Sequence, residues 1–394
     1  MLDRVRETIL STVNDEPPDT TWGPVIDEED PITLPVQPLK LRPRRSNPGL
    51  AYGPDLAKEL HNYREGDWPF SNASETSAFE FWYEDGELET ILIPGGQFSN
   101  DRFQGTLRSL YPRTATVPRN EGFPTIPPDH YVKAGTASFE EKFFLPLARV
   151  EDVNTDPLDR IGNAIAVETL EGEHTIFDGD QARFVFQVLF KPADEVWTQR
   201  PPLGIDMETV AEKYQEGKYK SGVLEELLDQ GGHVGPSADD KLTARVLNEQ
   251  HGMPGFYVGI RLLAATPGPV ATQAYYRDVK SSLTALDSPF SGQSLEVHDA
   301  PEDELETIVR QMRERDMGLS LWDRMGEQKT MMTPFELGNL FHLPSDNTIK
   351  AIDWATMDQG NGVPDELPDF WTALEEAEIT AGAKTNLQEI SGMN

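Results

Sequence analysis

The chain has 394 residues, with 68 Asp and Glu against 34 Lys and Arg, a net charge of −34 and no cysteine. That length supports two or three domains with real hydrophobic cores, and the missing cysteine excludes disulfides, thiol nucleophiles and thiolate metal sites. A surface this acidic repels nucleic acid and anionic membrane through its mean field, so any DNA contact has to come from a local basic spot or a partner.

In chain order, residues 1–75 read as an extended arm. A short amphipathic start gives way to Pro17-Pro18, Pro24, Pro31, Pro35 and Pro38, a density that prevents a regular helix or a central strand. Within the arm, Lys40-Leu41-Arg42-Pro43-Arg44-Arg45 is the one dense basic cluster. Lys40, Arg42, Arg44 and Arg45 either dock onto the protein's own acidic body or touch DNA phosphate or a partner.

Residues 76–200 read as a first α+β subdomain. Ala78 to Tyr83 and Glu89 to Ile93 are β-prone and flank the turn-like Glu84-Asp85-Gly86. Phe98, Phe103, Leu107 and Leu110 predict a helix from Gln97 to Tyr111, and Thr114 to Val117 another strand. Ala137 to Leu147 is strand-like, Asp156-Pro157 opens a helix through about Val167, and Arg183 to Phe190 is a further strand.

Residues 201–252 read as a helical insertion, broken at Gly231-Gly232 and Gly235-Pro236. Residues 253–330 read as a second α+β segment that completes the sheet. It holds a strand at Gly255 to Ala265, a helix at Val270 to Leu286, a strand at Ser294 to Val297 and a charged helix at Glu302 to Met317. Residues 331–394 read as linker-like, with Thr333-Pro334 capping a helix through Leu340 and a short polar helix at the end. The fold class expected is α+β with ferredoxin-like sandwich subdomains, the strand–helix–strand segments being possible structural duplicates.

The acid is dispersed along apolar periodic segments, and 21 Arg stand against 13 Lys. This pattern fits a folded halophilic protein, because at about 1 M salt the Debye length falls to ~3 Å. The N-terminus has no apolar core of signal-peptide length, and the most apolar stretch, Phe256 to Ala265, is broken by Arg261. The expected compartment is the cytoplasm.

Gly382-Ala383-Lys384-Thr385 lacks the upstream glycine and the spacing of a phosphate-binding loop. The histidines at 61, 130, 174, 233, 251, 298 and 342 do not form a zinc pattern. His342 reads as packed or capping, and His174 near Asp178 and Asp180 as a solvated turn. Glu28-Glu29-Asp30 and Asp239-Asp240 lack the ligand pattern of a calcium loop. Neither a nucleophile elbow nor a dinucleotide fingerprint is present. No catalytic residue, metal or cofactor is assigned.

Five segments, in order, resemble the region preceding the motor domain of archaeal and bacterial conjugation ATPases, the HerA/FtsK-like, type IV secretion class of DNA-pumping proteins. They are Ala78 to Tyr83 with Leu110-Tyr111-Pro112; Phe144-Leu145-Pro146-Leu147 with Asp156-Pro157-Leu158; Phe186-Gln187-Val188-Leu189 with Pro192 and Trp197; Gly255 to Arg261; and Thr333 to Pro344. In that family the phosphate-binding sequence follows soon after, whereas here no such motif appears before Asn394. The resemblance implies a non-catalytic accessory module that assembles with a motor ATPase or with itself. Phe335, Leu337, Leu340, Phe341 and Leu343 are the candidate partner interface. Membrane association would come only through a partner. The alternatives are a structural or assembly protein of a haloarchaeal virus or mobile element, and an enzyme with an unrecognised carboxylate or metal site.

Overall fold

The computed structural model describes residues 37–67, 71–95, 100–119, 122–171, 176–199, 204–217, 235–319, 324, 329–345, 349 and 351–355. Several expectations lie outside these residues: the amphipathic start, the prolines from Pro17 to Pro35, Glu28 to Asp30, His174, Gly231 to His233, the 382–385 near miss and the final polar helix.

Strands β1 (Leu39–Arg42), β2 (Ser77–Glu84), β3 (Glu87–Ile93) and β4 (Ala115–Pro118) alternate with helices α1 (Gly53–Glu59) and α2 (Asn100–Leu110) in the order β1-α1-β2-β3-α2-β4. Across the sheet these strands run β4-β1-β3-β2, every pair antiparallel. The turn from β2 to β3 is only Asp85-Gly86, both at positive φ, which is the mirror-image turn that matches strand twist.

The second half repeats this plan with β5 (Tyr131–Phe139), α3 (Pro157–Ile165), β8 (Arg183–Ala193), β9 (Gly255–Thr266), α6 (Pro269–Ser282) and β10 (Leu295–Asp299). Its strands lie in the order β10-β5-β9-β8, again all antiparallel. Each half is therefore a βαββαβ ferredoxin-like unit with strand order 4-1-3-2. The small hairpin β6 (Thr169–Glu171) and β7 (Ile176–Asp178) precedes β8, and α4 (Met207–Gln215) and α5 (Ala238–Gln250) sit between β8 and β9, where the first unit has its tight turn.

The units share one sheet because β2 pairs antiparallel with β8. Two equivalent edge strands joined this way are related by an approximate two-fold axis normal to the sheet, which leaves all crossover helices on one face. Packing agrees: side chains of α1, α2, α3 and α6 belong to one continuous core with Phe79, Phe81, Phe184 and Phe186. The opposite face is covered at its centre by α7 (Leu305–Glu314), whose Leu305, Val309 and Met312 pack on Trp82, Val185, Leu189 and Leu263. Of the helices described, none is long and apolar enough to cross a membrane.

Three expectations are corrected. Residues 37–75 are not an arm over the surface, because β1 lies between β3 and β4 and α1 buries Leu56 and Ala57. The strand expected at 137–147 runs instead over 131–139. Residues beyond Phe139 leave the sheet, and Phe143, Phe144 and Leu145 bury against α4 and α5, giving an apolar run without strand geometry. Residues 331–344 are not linker-like: β11 (Met331–Met332) pairs with β9, and α8 (Pro334–Leu337) packs on α1.

Candidate functional site: the seam between the two units

Residues alternate along β2 and β8, so Phe79, Phe81 and Tyr83 join Phe184, Phe186, Val188 and Phe190 on the helix-bearing face. The helices flank this aromatic strip, and residues 333–343 fill its middle as a clasp. Phe341 lies 4.7 Å from the Phe190 ring and 5.4 Å from the Phe79 ring, touching both units at once.

Polar contacts fix the clasp in place. Thr333 is the N-cap of α8, and Glu336 Oε2 accepts from the Thr333 amide at 2.7 Å and its hydroxyl at 2.7 Å. The Leu147 amide donates to Glu336 Oε1 at 2.9 Å, and Asn339 Nδ2 donates to the Ala148 carbonyl at 2.6 Å. His342 is fully buried between the Gly338 carbonyl (2.7 Å from Nδ1) and Asp156 Oδ2 (2.8 Å from Nε2). Asp156 also caps α3 by accepting from the Leu158 amide at 2.9 Å. On the other unit, a Cβ on Gly53 would stand 2.5 Å from the Gly338 carbonyl oxygen, so the two backbones meet only because both residues are glycine.

Burial pushes the Glu336 carboxyl up to about 7, against the pull of its hydrogen bonds from Thr333 and Leu147. Burial also acts to raise Asp156, but the His342 ring and the Leu158 amide outweigh it and hold this carboxyl below its ordinary value. The signs are opposite. Stability from Glu336 is fully present below its unfolded value of 4.5 and is lost as pH rises through about 7. Stability from Asp156 is present above its unfolded 3.8 and is lost as pH falls. Thermal unfolding followed from about pH 5 to 8 should therefore show a midpoint that declines from pH 5 toward about 7 and levels off above it. In Glu336→Gln that decline should flatten; an unchanged slope would count against this assignment.

On the opposite face, the middle of the β2·β8 ladder sets Glu80 against Gln187. Both are fully buried. Arg315, the left-handed residue that ends α7, grips Glu80 with Nε at 3.0 Å from Oε1 and Nη2 at 3.1 Å from Oε2. Trp82 Nε1 donates to Glu80 Oε2 at 2.6 Å, and Gln187 Nε2 donates to Glu80 Oε1 at 2.7 Å and the Met312 carbonyl at 2.8 Å. Arg261, across from Gln187 on β9, donates Nη1 to the Gln311 carbonyl at 3.2 Å. This network locks α7 over the seam. Sequence reasoning missed it as a unit, although its signal was present: Glu80, Gln187 and Arg261 each interrupt an apolar run in β2, β8 and β9.

The residues singled out from sequence fall in different places. Leu337, Leu340, Phe341 and Leu343 are core, which corrects their assignment as a partner interface, because their apolar surface is consumed within the chain. Phe335 alone is half-buried, with Lys58 Nζ 4.7 Å from its ring centre. Lys40 is buried at 2.7 Å from both Glu89 Oε1 and Asp353 Oδ2, and Arg42 reaches Asp353 at 2.7 Å. Those two cations are thus engaged internally and do not present their charge to a phosphate. Arg44 and Arg45 lie on the turn that follows, Arg45 standing 5.6 Å from the Trp354 ring centre. Among the described residues, no group of three His, Asp or Glu could hold a metal ion.

No curated protein matches the chain. A family model described as a domain of unknown function, DUF8128, matches residues 28–355. That span takes in both ferredoxin-like units, the seam and the clasp, and the chain belongs to the DUF8128 family.

Proposed function

We propose that the protein is a non-catalytic assembly module of a DNA-translocation or conjugation machine, acting through contacts with a motor ATPase or with a second copy of itself. The observation that carries this reading is the clasp. Thr333 to Pro344 is the segment resembling the stretch that precedes the motor in conjugation ATPases, and it is wedged against both ferredoxin-like units through Phe341, Glu336, His342 and Gly338. A polypeptide bound at or beyond this segment would be held by both units together, as a positioning element for a motor requires.

In this reading the module works in the cytoplasm and reaches a membrane only through its partner. Direct DNA contact is confined to Arg44 and Arg45, since Lys40 and Arg42 are committed to Glu89 and Asp353. The test is affinity capture of the tagged protein from its own cells in molar KCl after crosslinking, with light scattering of the pure protein for self-association. A translocation ATPase recovered in near-stoichiometric amount is the expected result. Repeated capture without such an ATPase, from a protein that is also monomeric, would remove the proposal.

A further inference from the structure

The large sheet ends in two outer strands, β4 and β10. At β4 the Arg119 amide donates to the Pro38 carbonyl at 2.8 Å, so Thr116 and Pro118 turn their backbone groups outward. Proline has no amide to offer a further strand, and this edge is short. β10 carries no proline, and its register against β5 runs unbroken from Leu295 to Asp299. The Glu140 amide donates to the Ser294 carbonyl at 3.1 Å and the Ala300 amide to the Ala134 carbonyl at 2.8 Å. Alternation along the ladder then aims the backbone groups of Glu296 and His298 at β5, and those of Leu295, Val297 and Asp299 away from it. Among the described residues no strand pairs with that outer side.

Such an edge is a template for another chain unless something closes it. Two side chains reach round to do so. Lys280, in the last turn of α6, donates Nζ to the Val297 carbonyl at 2.7 Å and is anchored by Asp299 Oδ1 at 3.0 Å. Lys133 holds the other Asp299 oxygen at 3.2 Å. Burial acts to raise the Asp299 carboxyl, but its bonds from the two lysines outweigh it and keep this group below its ordinary value. At the start of the strand, the Asp287 carboxylate accepts from the Leu295 amide.

The closure matters because the strand is complementary to itself. In an antiparallel pair centred on Val297, the two Val297 residues would exchange backbone hydrogen bonds, and Leu295 would do so with Asp299 of the second copy. Val297 packs into the helix-bearing core, so Glu296 and His298 lie on the opposite face, and both are exposed. Each glutamate would stand directly across from the histidine of the other copy, at the close, non-hydrogen-bonded positions on either side of the axis. In molar salt the charge of −34 on each copy is screened over ~3 Å and does not forbid the approach.

We propose that β10 is a pairing surface for a second copy of this chain, kept closed in the monomer by Lys280 and Asp287. Freeing the Val297 carbonyl and the Leu295 amide lets two sheets join edge to edge. This inference depends neither on the clasp nor on a motor partner.

The experiment is light scattering of the full chain in molar KCl, with hydrogen exchange read at β10. The wild type should not pair through this edge. Lys280→Met/Asp287→Ala should scatter at twice the wild-type mass, with the Val297 amide exchanging on the order of tenfold more slowly than in the wild type. Adding Val297→Pro, which removes the central outward amide, should return the double variant to wild-type mass. Glu296→Lys, an exposed change that sets a cation against His298, should weaken the dimer in the same way and keeps the test alive if the proline variant fails to fold. A double variant of unchanged mass would overturn the proposal. So would a dimer that survives both blocking changes, or a wild type already paired through β10.

Discussion

Replacing Glu80 by alanine is expected to lower the unfolding free energy by about 3–5 kcal/mol, the cost of leaving a buried guanidinium without its counterion. The carboxylate is fully buried and accepts four hydrogen bonds, from Arg315 twice, Trp82 and Gln187, so its removal orphans donors on β2, β8 and α7 together. Arg315→Met strands the carboxylate and should cost a comparable amount. The double variant Glu80→Leu/Arg315→Met should be less damaged than the sum, because neither charge then remains uncompensated. Chemical denaturation at fixed KCl checks all three. A single-variant loss below about 1 kcal/mol would put the pair among ordinary surface bridges and refute its role in holding α7 to the seam.

Phe341→Ala should be nearly as destructive, at about 3–5 kcal/mol, because the ring is wholly buried and its neighbours, Phe79 and Phe190, stand on rigid central strands that cannot close the hole. Phe341→Leu keeps much of the volume and should cost roughly 1–2 kcal/mol. Position makes the result informative. If the clasp couples the units, hydrogen exchange should quicken in β2 and β8 together. Quickening confined to one of those strands would mean that the clasp belongs to a single unit.

Much of the fold was legible because its elements carry strong local signals. Asp85-Gly86 between two apolar runs marks a tight hairpin, Asp156-Pro157 marks a helix start, and Arg183 to Phe190 has too many large apolar residues for an exposed strand. The α+β class and the suspicion of a duplicated strand–helix–strand plan followed from these. What could not be read was pairing across long separations. Leu39 to Arg42 is a short strand among prolines, and only its place between β3 and β4 makes it one. The clasp misled for a related reason: Leu337, Leu340, Phe341 and Leu343 form an apolar stripe whether it meets another protein or its own core. Glu80, Gln187, Arg261 and Arg315 each look unremarkable alone, and a span of 235 residues separates the two ends of the ion pair.

The join at mid-sheet has a consequence for how such a molecule could arise and be built. Two identical chains meeting through this ladder, with the symmetry axis through its midpoint, would put a glutamate face to face with its own copy, and both acids would compete for guanidinium groups in a dry interior. A single covalent chain is free of that requirement. It sets an acid on one side and an amide on the other, so the halves can share an outline while their centre is deliberately unequal.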